Sequence, residues 1–163
     1  MAELVVELAR ISPTQHRFSY RRPDGTGEAL ELETKSFLFH DLLHFAVETE
    51  VGLQHSFYGN LARSSSYSLL AELNGEAEGE IGMTERIVGG LTGFLKQESD
   101  RGAFLLLMQN MLDATGEQLP FWLTETSLTN IKERMRRLQG EWNALPFGAS
   151  IKLDFPVIDC KNS

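Results

Sequence analysis

The sequence predicts an α+β fold: a small antiparallel sheet of about four strands, an N-terminal meander plus one C-terminal strand, packed with several helices. Three observations point there. Apolar and polar residues alternate along the first third of the chain and again near its end, which is the period of strands. Through the middle, apolar residues recur at helical spacing instead. The chain has 163 residues, 42% hydrophobic and 23% charged, which suits one domain with an ordinary core.

Over residues 3–11, Leu4, Val6 and Leu8 alternate with Val5, Glu7 and Ala9. Over residues 16–21, Phe18 and Tyr20 alternate with Arg17, Ser19 and Arg21, and Pro13 separates the two runs. Pro23-Asp24-Gly25 makes a turn: proline presets its φ, Asp bonds locally and Gly accepts a positive φ. Leu30 and Leu32 then alternate with Glu31 and Glu33, completing a meander with one wet face. The period changes at Asp41, whose carboxylate suits a helix N-cap. Leu42, Leu43, Ala46, Val47 and Val51 follow at helical spacing until Gly52, a natural stop. A short helical piece follows over residues 56–62 and a fragment over 67–73, then a mobile acidic loop near 74–82. Thr84 reads as the cap of a helix carrying Ile87, Leu91, Phe94 and Leu95. Gly89, Gly90 and Gly93 within it cost roughly 1 kcal/mol each against Ala, and so suggest a close-packed neighbour or a break. Ser99 or Asp100 opens the next helix, through Phe104, Leu107 and Met111 to Thr115-Gly116. Its FLLLM run is apolar around most of the circumference and is expected at the centre of the core. A last helix over residues 127–140 buries Leu128, Ile131, Met135 and Leu138. Ile151, Leu153 and Phe155 then return to strand period.

The net charge of -8 repels phosphate backbones and gives no polybasic attraction to anionic lipid, so neither nucleic acid nor membrane is an expected partner. Arg134, Arg136 and Arg137 form a small basic group that reads as a solvated helix face. The single cysteine, Cys160, has no intrachain partner. No apolar run is long enough to span a bilayer, and residues 1–12 lack the pattern of a secretory signal. A reducing cytoplasm is the expected location.

The chemistry concentrates in SFLFHDLLHFAVETEVGLQH, residues 36–55, which holds three of the four histidines. With about 100° per residue and His40 at zero, His44 falls near 40°, Glu48 near 80° and Asp41 near 100°. The four polar groups share one arc at the border of the apolar face. Imidazoles at i and i+4 hold one divalent ion, and a carboxylate one turn on supplies a third ligand or orients a ring. The expected metal ligands are therefore His40, His44 and Glu48, with a zinc-like ion. Asp41 and Glu48 are the catalytic candidates, and His16 and His55 distant contributors. A bound water there would be acid enough to attack an ester, amide or phosphate. The competing expectation is a non-enzymatic interaction or ligand-binding module, such as a homodimer, with histidines that cap and pack.

HDLLH resembles the HExxH of zinc peptidases, with Asp41 in place of the glutamate that serves there as general base. The pair His40-Asp41 is also similar to that of HD phosphohydrolases. Those are all-helical and carry their first histidine on a helix, whereas His16 reads as strand, so that match is rejected. The stretch SFLFHDLLHFAVETEVGL with FYGNLA after it resembles a group of bacterial proteins of unassigned function. They share an HDLxHFxVExExGL-like stretch and then a GFxGxxA-like one, with proline where Phe39 stands here. The resemblance implies a bacterial, cytoplasmic protein and a helix at this place; it assigns no reaction. GGLTG at 89–93 lacks the lysine and spacing of a phosphate loop, and no G-x-S-x-G elbow occurs. Phe121, Trp122 and Trp142 read as core residues able to grip an apolar ligand.

Overall fold

Period-two alternation puts one row of side chains inward on every strand. β1 (Ala2–Arg10), β2 (Gln15–Arg21), β3 (Gly27–Glu33) and β4 (Ser150–Val157) form one antiparallel sheet in the order β3-β2-β1-β4. The structure, a computed structural model, describes residues 2–97 and 100–158. Leu4 faces Phe155, Val6 faces both Leu153 and Tyr20, and Leu8 faces both Ile151 and Phe18, so the register aligns the apolar rows. All of these are buried. A one-residue slip would turn every one of them to solvent, which fixes the pairing. Between β2 and β3, Asp24 Oδ1 accepts from the Thr26 N–H at 2.9 Å and Gly25 takes φ 90°, as the turn chemistry requires.

Six helices lie between β3 and β4: α1 (Thr34–Val51), α2 (Phe57–Arg63), α3 (Tyr67–Ala71), α4 (Gly79–Gln97), α5 (Arg101–Asp113) and α6 (Glu125–Ala144). α1 is the central helix, touching the sheet, α2, α4 and α6. It therefore buries Leu38, Leu42, Leu43, Phe45, Ala46 and Val47, and also Asp41, His44 and Glu48. The polar arc expected at the border of the buried face lies under α2 and α4.

Several boundaries differ from the sequence expectation. α1 starts at Thr34 rather than Asp41, because it continues directly from β3 with Glu33 at its N-cap. His40 consequently sits well inside regular helix. α4 starts at Gly79, taking the last part of the segment expected as a loop, and Thr84 lies inside it rather than capping it. Asp100 caps α5, accepting from the Ala103 N–H at 3.0 Å. The Thr124–Ser127 capping box starts α6 two residues before the predicted position. The FLLLM run is not at the core's centre: Phe104 and Met108 are buried, while Leu106 is 60% and Leu107 57% exposed. Of Gly89, Gly90 and Gly93 in α4, Gly90 meets α5: a Cβ there would lie 2.6 Å from Met108 Sδ. Trp142 is buried against His16, whereas Phe121 is 93% exposed and no part of the core. Ser99 and Cys160 lie outside the described residues.

Candidate metal centre

His40 and His44 stand one turn apart on α1, their ring centroids 4.5 Å apart. Both present Nε2 to a single carboxylate, Glu85 on α4. Glu85 Oε2 lies 3.3 Å from His40 Nε2, and Glu85 Oε1 lies 3.0 Å from His44 Nε2. One candidate ligand atom from each of the three residues lies within 4.8 Å of the other two. The contact between Glu85 and His44 is an ion pair rather than a hydrogen bond. His44 Nε2 is thus a buried nitrogen with no hydrogen-bonded partner, aimed into the cluster.

The opposite ring nitrogens face carboxylates of their own. His44 Nδ1 lies 2.9 Å from Glu48 Oε2, and His40 Nδ1 lies 3.5 Å from Asp41 Oδ1. A carboxylate on Nδ1 fixes the tautomer that leaves Nε2 free to ligate, which is how metal-bound histidines are commonly oriented. Glu48 is held in turn. It accepts from the backbone N–H of Phe57 at 3.2 Å and of Tyr58 at 2.9 Å. These are the first two N–H groups of α2, which otherwise have no intrahelical acceptor, so Glu48 acts as a cap from another helix. Asp41 Oδ2 accepts from Tyr67 Oη at 2.6 Å, and the Asp41 carbonyl accepts from Tyr58 Oη at 2.7 Å.

Glu85 reaches the histidines because α4 is pinned to the turn after α1. Gly52, at φ 73°, ends α1. Beyond it, Glu80 Oε2 accepts from the His55 N–H at 2.6 Å and from Ser56 Oγ at 3.2 Å, and Ser56 Oγ shares a hydrogen bond with Thr84 Oγ1 at 2.8 Å. One residue after Thr84, Glu85 meets the rings.

Charge follows this geometry. Burial alone would depress His44, but Glu48 and Glu85 outweigh it and raise its pKa to about 9. His40 is also raised: burial opposes the shift, and the carboxylates of Asp41 and Glu85 prevail. Burial pushes Glu85 up, yet the hydrogen bond from His40 and the charge of both histidines bring it down to about 2. Burial pushes Glu48 upward against the opposing pull of His44 and the two N–H donors. His44 and Glu48 are fully enclosed, while 41% of the His40 side chain is exposed, so the cluster opens on the His40 side. A cavity of about 220 Å³ adjoins it there, lined by Ser36, Phe37, His40, Asp41, Phe57 and Tyr67 among others.

Of the sequence-predicted residues, His40 and His44 come together with Glu85, each offering one candidate ligand atom. Glu48 and Asp41, expected as metal ligand and catalytic carboxylates, instead face the opposite nitrogens, Glu48 at His44 Nδ1 and Asp41 at His40 Nδ1. His16 lies apart, its Nδ1 3.0 Å from Thr34 Oγ1. His55 contributes its backbone N–H to Glu80. Glu85 is not among the residues the sequence pattern picks out. On α4 it falls about 160° from Ile87, off the apolar stripe, where a lone glutamate reads as solvent-facing. The one signal for it is the polar arc of α1, too large to leave buried without a partner from another helix.

No helix among the described residues is long and apolar enough to cross a membrane. Compared with known protein families, curated proteins and solved structures, the chain matches none.

Proposed function

We propose that the protein binds a divalent, zinc-like ion through His40, His44 and Glu85, and that metal-assisted hydrolysis is its reaction class. The observation carrying this reading is the double-sided arrangement: each Nδ1 faces a carboxylate, and both Nε2 atoms face Glu85. Ligands about 2.1 Å from a tetrahedral ion stand about 3.4 Å from one another. The 3.0 and 3.3 Å separations here are on that scale, so small side-chain movements suffice. Two imidazoles and one carboxylate leave a fourth position for water, as catalytic zinc sites do. The exposed flank of His40 and the adjoining cavity supply access. Neither Lys nor Arg lines that cavity, so an ester or amide suits it better than a phosphate, which calls for cationic clamps. In this assignment Asp41 and Glu48 hold the ligating rings and are not the base.

The second reading is a non-enzymatic module in which the cluster is a buried ion-pair network. The raised His44 and lowered Glu85 favour it, since they close the charges on one another without an ion. The two separate on metal analysis of untagged protein. Wild type is expected to carry one ion per chain, and His44→Ala and Glu85→Gln none. Wild type that stays metal-free after incubation with zinc, while folded, supports the module instead.

A further inference from the structure

We infer that the cavity beside the cluster binds a small alkylammonium group and, on the hydrolytic reading above, that the ester or amide substrate carries this charge. Three of the cavity's walls are aromatic: Phe37, Phe57 and Tyr67. Phe57 and Tyr67 are buried and meet as a corner, their ring planes at 84° and centroids 5.5 Å apart. Aromatic rings around a small cavity attract an ammonium through their quadrupoles. Asp41 is a further wall, only 2% exposed. Its Oδ2 accepts from Tyr67 Oη at 2.6 Å. Its Oδ1 has the contact with His40 Nδ1 at 3.5 Å, longer than an ordinary hydrogen bond, so this oxygen keeps acceptor capacity.

Charge selects the occupant. Asp41, Glu48 and Glu85 bring three negative charges to the two rings, and one divalent ion offsets two of them. Of the three carboxylates, Asp41 alone lines the cavity, and no Lys or Arg lines it. An anion there would meet the Asp41 carboxylate with no cationic side chain between them. An uncharged group would leave the third negative charge without a partner in a partly dry place. A single ammonium balances it. The net charge of -8 also draws cations toward the chain. At about 220 Å³ the cavity suits a small head group.

The probes are choline and its uncharged isostere 3,3-dimethylbutan-1-ol, which share shape and differ in charge. Calorimetric titration of the zinc-loaded full chain is expected to find choline bound at least about tenfold more tightly. Phe37→Leu keeps an apolar wall and removes its π face. It should weaken choline about threefold or more and leave the alcohol unchanged. Asp41→Asn should remove most of the preference. Zinc content is measured on every sample, so a chain that takes up no zinc fails the metal reading, while choline against its isostere still decides the cavity. With zinc bound, kcat/KM for acetylcholine should exceed that for 3,3-dimethylbutyl acetate at least about tenfold. Hydrolysis of neither ester, with choline still preferred, would sink the hydrolytic reading and its charged substrate and leave the cation site standing. Choline bound no more tightly than the alcohol, or a preference unchanged in both variants, would overturn the cation site itself.

Discussion

At the scale of residues, three carboxylates and two imidazoles share one site, and two protons on the rings or one divalent ion offset two of the three negative charges. His44, with a pKa of about 9, holds its proton at neutral pH when no ion is bound. Zinc uptake must displace that proton, because imidazole ligates as the neutral base. Calorimetric titration at pH 7 in two buffers of different ionisation enthalpy should therefore report release of about one proton or more per ion. Binding without proton release would place the ion elsewhere. The same groups set the stability of the metal-free protein. The folded pKa of His44 lies above its unfolded value of 6.5, so its contribution is full below pH 6.5 and is lost as pH rises through about 9, on the order of 3 kcal/mol. Glu85 is depressed from 4.5 to about 2, so its contribution is present above pH 4.5 and lost as pH falls through about 2. His40, raised above 6.5, adds to the loss as pH rises, while the raised Glu48 contributes most below pH 4.5 and less as pH climbs above that. His16 is lowered by burial and runs the other way below 6.5. Urea unfolding with chelator present should find the protein less stable at pH 9.5 than at pH 6; no alkaline loss would mean that His44 is neutral in the folded protein. His40 and His44 are legible in the sequence because a single helix turn spaces them. Glu85 is not, since α4 meets α1 through contacts far apart in the chain.

At the scale of elements, glycines on α2 and α4 decide how the helices approach the centre. A Cβ on Gly59 would sit 1.9 Å from the Gln54 carbonyl oxygen, a backbone clash that no rotamer relieves. Gly59→Ala must push α2 away from the turn before it and draw the Phe57 and Tyr58 N–H groups off Glu48. A destabilisation of about 1–3 kcal/mol is expected, with weaker metal binding although no ligand is altered. Gly89 and Gly93 have open space where a methyl group would stand, and ordinary helical backbone. Gly89→Ala and Gly93→Ala should each stabilise the protein by about 0.5–1 kcal/mol, readable as a shift in urea midpoint at constant slope. Equal effects at positions 59, 89 and 93 would sink the distinction. The three-glycine pattern itself suggests a close neighbour; the space around each residue shows that Gly90 alone among them has one. The strands are legible with few errors, because one sheet face is wet and the alternation is clean. The starts of α1 and α4 are harder to read, because α1 continues from β3 without a side-chain cap and the glutamate-rich start of α4 resembles a loop.

At the scale of the molecule, the cluster joins α1, seated on the sheet, to α4, which packs on the other side and carries α5. An ion held by His40, His44 and Glu85 would bind the folded chain alone, since Glu85 lies 41 and 45 positions from the histidines and meets them only in the assembled core. Ion binding is then folding free energy. At a free zinc concentration about a hundred times the dissociation constant, the folded state gains about 2.7 kcal/mol. For a chain of this size, that corresponds to a rise of roughly 5–10 °C in melting temperature. Chelator should reverse the shift. The far-UV spectrum should stay the same, because the sheet and the apolar face of α1 form the core without the ion. Glu85→Gln keeps the volume of the side chain and removes the charge that draws the ion in, so this variant should melt at the same temperature with and without zinc. Equal zinc-induced shifts in wild type and Glu85→Gln would locate the binding outside the cluster, and α1 and α4 would then be joined by proton-mediated ion pairs alone.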